Sequence, residues 1–364
     1  MASYLAADPE NMTLLADTAW AAYEAGERDL ASELVSRASH AVPPTPRLRN
    51  LALLLAIADN RLEEADALAL SLLAESPGDP GLLYDRAWIA ALERRFAAAN
   101  ALLTPEAAAA SAEARAFKVR LLHHVHAYDE ALGWGEEMIA KGHLEPALLG
   151  ALALVAMDAD QPALARSYAE AGAGGAEAEL TLGLFAIEEG AANIALSRFD
   201  AALTAQPAHP RAWAGRGLAL LSLGDPAGAS AALEKAARLF ETHLGTWVAL
   251  GWARLIAGDR SASRAAFAQA VAIDDNFGEG HGGLAVLDIL DGDAEGGTRH
   301  AKLAARLDRA GLGAMLAHIL LAEGQGKAEV AERIWRQALG APIGENGQTL
   351  EQAVAVLARS GGRR

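Results

Sequence analysis

Three glycines set 34 residues apart limit the folds open to this chain. They are Gly183, Gly217 and Gly251 (217−183 and 251−217), and Gly190, Gly224 and Gly258 repeat the same interval. Each interval carries similar residues in the same order. The series runs Gly183, Gly190, Ala195, Phe199, Ala202, Pro207; then Trp213, Gly217, Gly224, Ala229, Leu233, Ala236; then Trp247, Gly251, Gly258, Phe267, Ala270. A period of this length marks one supersecondary unit repeated, and such a unit cannot bury its apolar face alone. Neighbouring copies must stack into one continuous body, so 364 residues need not mean two or three separate cores. Hydrophobic residues make up 52% of the chain and aromatics only 5%, the excess being the strong helix formers alanine and leucine. Few runs alternate apolar and polar with period two, so the expected fold is all-α.

Trp, a small residue, a turn glycine, Ala, Phe and Ala, in that order at a period of 34, resemble the tetratricopeptide repeat. The resemblance implies a right-handed superhelical solenoid of about ten antiparallel helix pairs, closed by a C-terminal capping helix. Extending the register backwards places Ala19 at the small position and Gly26 at the turn, with Ala31, Ala38 and Pro43 following. The next copy has Leu53, Asn60, Ala65, Leu72 and Pro77, and a third has Ala87, Arg94 and Ala99, with Phe96 as an apolar anchor. Pro43 and Pro77 fall where a second helix must stop.

The register then slips. Residues 102–114 (LLTPEAAAASAEA) shorten the third copy, and Ala131 follows Ala99 after 32 residues (131−99). The next copy has Ala153, Asp160 and Ala165, ends in AGAGGAEA (171–178), and reaches Ala195 after 30 (195−165). These joints, near 104–112 and 171–178, divide one solenoid into N-terminal repeats over 1–110, degenerate middle repeats over 111–178 and C-terminal repeats over 179–340. A capping helix and tail follow over 341–364. Gly282, Gly283, Gly296 and Gly297 mark a copy that packs tightly or is poorly stable, since glycine weakens a helix by about 1 kcal/mol relative to alanine. GQG (324–326) turns the last copy, and 348–360 reads as the closing helix with Thr349 at its N-cap.

A formal net charge of −16 opposes nucleic acid and anionic membrane surfaces, both of which require basic patches. The absence of cysteine removes disulfides, iron–sulfur ligation and thiolate zinc sites. MASYLAADPENM lacks a basic segment followed by an apolar run, and LALLLAIA (51–58) is far shorter than the roughly 20 residues that span a bilayer. A cytoplasmic chain with no direct membrane insertion is expected.

Three stretches could carry chemistry. FGEGHGG matches G-x-G-x-x-G at Gly278, Gly280 and Gly283, but that fingerprint works between a strand and a helix. Helix packing is the better reading. In HHVH, His123, His124 and His126 share no single helical face, which argues against a metal site. Asp288, Asp291 and Asp293 lack calcium-loop spacing and read as turn formers. Neither G-x-S-x-G, a P-loop nor H-E-x-x-H occurs. The expectation is therefore no enzyme, no cofactor and no metal.

In tetratricopeptide proteins the first helix of each pair lines a concave groove. By register the resemblance assigns to it Trp20, Tyr23, Arg47, Asn50, Tyr84, Trp88, Arg120, His123 and Leu154, then Leu184, Ile187, Arg211, Leu218 and Trp252. Some family members clamp a partner's terminal carboxylate with Lys and Asn. Here those positions hold Ala16, Trp20, Leu51, Tyr84, Asp85 and Trp88, with Asn50 the only similar residue. The aromatic groove suits instead an apolar or amphipathic segment of another protein. The resemblance thus implies a protein-binding scaffold or adaptor, as used by bacterial secretion, pilus and polysaccharide-export machines. The alternative is an obligate structural subunit of a larger assembly or homo-oligomer.

Overall fold

The computed structural model describes residues 5, 8, 11–41, 45–309, 311–340, 342, 343, 348 and 349. They form two compact units, Met1–Gln161 and Pro162–Arg364.

The first unit holds α1 (Met12–Glu24), α2 (Arg28–Ala41), α3 (Pro46–Ala58), α4 (Leu62–Glu75), α5 (Pro80–Leu92), α6 (Phe96–Leu102), α7 (Pro105–Ala109), α8 (Ala112–His124), α9 (Tyr128–Ala140) and α10 (Pro146–Asp158). The second holds α11 (Pro162–Ala171), α12 (Ala176–Glu188), α13 (Ala192–Ala205), α14 (Pro210–Ser222), α15 (Pro226–Leu239), α16 (Leu244–Ile256), α17 (Arg260–Ile273), α18 (Gly278–Leu290), α19 (Ala294–Leu307), α20 (Leu312–Gly324) and α21 (Ala328–Gly340). The all-α repeat fold expected from the sequence is the fold observed. Among the described residues the ten first helices, α1, α3, α5, α8, α10, α12, α14, α16, α18 and α20, are each 13 residues long.

Side-chain caps mark where six of them begin. Asn11, Thr45, Asp79, Ser111, His209 and His243 each accept the backbone N–H three residues on, which satisfies a donor the helix itself leaves free. The cap positions 11, 45 and 79 keep the 34-residue step. Ser111 comes after 32 (111−79) and Gly175, which follows Glu145, after 30 (175−145). Both slips are those read from the sequence. Where Gly311 supplies no cap to α20, the Glu279 carboxylate of the preceding repeat accepts Gly313 N–H at 3.2 Å.

The turn inside each pair needs a left-handed residue. Gly26, Gly190, Gly224, Gly258, Gly292 and Gly326 supply it in six pairs. Asn60 (φ 59°), Arg94 (61°), His126 (58°) and Asp160 (55°) occupy the same position without glycine's freedom.

Small residues on the first helices make room for large ones on the second. Phe199, fully buried, lies so close to two helices that a Cβ on Gly183 or Gly215 would meet its ring at 2.6 or 2.4 Å. Phe267 is seated in the same way between Gly251 and Gly283, and Leu233 against Gly217. The glycine-rich copy is the tightly packed alternative. A Cβ on Gly282 would meet the backbone of Gly313 and Ala314 at 2.8 Å, so α18 and α20 touch backbone to backbone. The fingerprint-like glycines are helix-packing residues inside α18.

At the first joint α6 keeps only seven residues. Its carbonyl ends are satisfied by buried Lys118 of α8, whose Nζ donates to Asn100 O and Leu103 O, both at 3.0 Å. Burial lowers the Lys118 ammonium from its ordinary value.

Two expectations need correction. Gln348 and Thr349 pair with Pro342 and Ile343 as a two-stranded antiparallel ribbon, so Thr349 does not begin a helix as an N-cap. The remainder of that expected helix lies outside the described residues. Asp288 is no turn former either: it is buried inside α18, held by Arg264 Nη1 at 2.6 Å and His300 Nδ1 at 2.7 Å. Asp293 does cap α19 through Gly296 N–H.

Candidate protein-binding surface

In the first unit, α5 places Tyr84, Asp85 and Trp88 within one turn of one another, and α8 faces them with Phe117. The Tyr84 and Trp88 rings stack at 6.3 Å and 11°. Phe117 meets Tyr84 edge-on at 5.4 Å and tilts against Trp88 at 5.1 Å. Phe117 is buried while Trp88 stays 38% exposed, so a buried ring holds an open one in place. Burial pushes the Tyr84 hydroxyl above its ordinary value. Rigid aromatics with one free face suit a contact surface, because little side-chain entropy is lost on binding.

The other expected positions of this unit differ in setting. Trp20 is half-buried, edge-on to Tyr23 at 6.1 Å, and its Nε1 is buried without a hydrogen-bond partner. Arg47 pairs with Asp17 at 2.6 Å on the surface. Asn50 is half-buried, and its Oδ1 is buried with no partner. Arg120 is half-buried. His123 bonds Asp158 Oδ2 at 2.7 Å. Leu154 is buried at 7%, which makes it a packing residue of α10 and corrects its assignment to an open face.

The histidines of 123–126 serve three separate contacts. His124 stacks on Phe96 at 4.1 Å, and His126 takes the left-handed turn while bonding Tyr128 Oη at 2.8 Å. No group of three His, Cys, Asp or Glu able to hold a metal occurs among the described residues. No helix among them is long and apolar enough to cross a membrane.

Between α3 and α5 lies a cavity of about 340 Å³, walled in part by Arg47, Asn50, Glu75, Asp79 and Asp85. Sequence reasoning missed Asp85 as a candidate. The signal was present, because Asp85 sits two residues before the small position. The same place in five other copies holds Leu51, Phe117, Thr181, Gly215 and Gly283, all buried, while the first copy has a half-buried Asp17 paired with Arg47.

In the second unit, Leu184 and Ile187 are half-buried on α12, Arg211 is exposed at the start of α14, and Leu218 is 40% exposed. Trp252 packs edge-on to Phe267 at 5.1 Å, so most of its ring belongs to the core between α16 and α17.

The family description Tetratricopeptide repeat matches residues 210–243, the span of α14, α15 and the turn that follows. No curated protein sequence matches the chain. Among solved structures, a monomeric mutant of IFIT1 with Gppp-AAAA is 12% identical, with 90% of each chain covered and a TM-score of 0.52. The crystal structure of the APC/C hetero-tetramer Cut9–Hcn1 is 14% identical over 90% of this chain and 80% of that one, at a TM-score of 0.49. MamA from Desulfovibrio magneticus is 20% identical over 45% of this chain and 96% of its own, at 0.40. At 12% identity the likeness to the IFIT1 structure is one of fold alone. Repeats of this kind generally mediate contacts between proteins. The matched repeat, the 34-residue period and the left-handed turns together give the chain a tetratricopeptide-type repeat fold.

Proposed function

We propose that the chain is a non-catalytic scaffold holding an apolar or amphipathic segment of a partner protein, with the Tyr84–Trp88 stack as an anchor. The observation that carries this is an indole 38% exposed on a first helix, yet fixed by Tyr84 on one side and by buried Phe117. A tryptophan needed only for packing would be covered, as Trp252 largely is against Phe267. Aromatic anchors of this type dominate interface energies.

The test is titration of a peptide from a captured partner against wild type and Trp88→Ala. Loss of the anchor weakens binding by about 2 kcal/mol, roughly thirtyfold, at unchanged helical content. Unchanged affinity in a folded variant would remove Trp88 from the surface.

A further inference from the structure

The cavity between α3 and α5 adds a chemical demand to this surface. Asp85 stands at a position that most other repeats fill with small or apolar residues. The first repeat also has an aspartate there, Asp17, but that one is paired with Arg47, whereas no hydrogen bond or ion pair holds Asp85. The other charged groups around it are committed elsewhere. Arg47 of α3 pairs with Asp17, both carboxylate oxygens of Glu75 of α4 accept from Arg49 Nη2, and Asp79 caps α5. Across the cavity the Asn50 Oδ1 has no partner, so rotating that amide toward the cavity breaks no bond made by its oxygen. A carboxylate and an amide oxygen without protein partners thus belong to residues that line one cavity. Trp88 lies one turn from Asp85 along the same helix.

We propose that this cavity is a subsite for an arginine side chain of the partner segment, its guanidinium meeting the Asp85 carboxylate and the Asn50 amide oxygen, an inference that rests on the polypeptide-binding reading above. The planar fork of donors suits a carboxylate bidentately and a neighbouring carbonyl together, which a single ammonium does less well. A volume of about 340 Å³ admits the whole group. The net charge of −16 draws a basic segment toward the chain at long range. Because burial pushes Asp85 up to about 6, the site gains its charge as pH rises through that value, and a bound cation favours the charged form.

A random dodecapeptide library displayed on phage, selected against the full chain, provides the probe. The leading peptide is then synthesised with arginine and with its neutral isostere citrulline, and each form is titrated against wild type, Asp85→Asn and Trp88→Ala. Enriched peptides should share an arginine beside apolar residues. Citrulline should lower wild-type affinity about tenfold or more, while Asp85→Asn should bind the two peptides alike. Wild-type affinity should also rise between about pH 5 and pH 7.5, and the Asp85→Asn profile should be flat across that range. Thermal melting of Asp85→Asn checks its fold. If peptides are enriched and lost in Trp88→Ala, but citrulline costs wild type nothing, the arginine subsite is wrong and the polypeptide-binding reading stands. If no peptide is enriched, both fall.

Discussion

Gly282→Ala and Gly133→Ala should move stability in opposite directions. Alanine favours a helix over glycine by about 1 kcal/mol, and both positions lie inside helices, α18 and α9. At Gly133 the new methyl meets nothing within 4 Å, so the helical gain is realised and the variant is more stable by about 0.5–1 kcal/mol. At Gly282 it meets Gly313 and Ala314 backbone atoms at 2.8 Å, well inside ordinary van der Waals contact. Backbone cannot rotate away as a side chain can, so α18 and α20 must part by several tenths of an ångström. Overpacking of this kind costs about 1–3 kcal/mol, which leaves a net loss of up to about 2 kcal/mol after the helical gain of about 1 kcal/mol. For a unit the size of Pro162–Arg364 this lowers the melting temperature by about 2–4 °C per kcal/mol. Circular dichroism melts of the two variants beside wild type measure it. A stabilised Gly282→Ala would refute the backbone contact between these helices.

Further predictions concern the first unit. Burial raises Asp85 from 3.8 to about 6, so its contribution to stability is complete below the ordinary value and is lost as pH rises through about 6. After solvent screening that loss is about 1–2 kcal/mol, so denaturant titration should find Asp85→Asn more stable than wild type near pH 7.5 by that amount and similar near pH 4. Arg94→Gly relieves a left-handed residue and should raise stability by about 0.5–1 kcal/mol in the same assay. Lys118→Met strips the Asn100 and Leu103 carbonyls of their donor and should cost about 2 kcal/mol; a neutral result would mean the shortened α6 needs no such cap.

The repeat and its punctuation were legible because they are local. A helix pair needs one left-handed residue between its helices, and period alone located that residue even where Asn60, Arg94 and Asp160 stand in for glycine. The slips of two and four residues were equally plain, since each moves every later cap. His126 escaped notice as a turn residue because the histidines around it suggested ligands. The binding surface was less legible. Trp20, Trp88 and Trp252 share one repeat position, yet Phe267 packs against Trp252 and the Trp20 indole nitrogen is buried. Of these three, Trp88 alone is exposed. That outcome depends on the residues each indole meets from the neighbouring helix, and period does not encode them. Asp288 misled for a similar reason, since its partners Arg264 and His300 lie on the helices before and after its own.

The scaffold reading is most directly tested by photo-crosslinking at two exposed apolar positions of one unit. Trp88, on first helix α5, is 38% exposed, and Leu70, on second helix α4, is 47% exposed, so accessibility alone favours Leu70. A benzoylphenylalanine is placed at each in turn, and the cross-linked polypeptides recovered from the native host are compared. The account predicts a discrete partner adduct from position 88 and none from position 70. An adduct from position 70 with none from position 88 would put the contact on the second helices and contradict it.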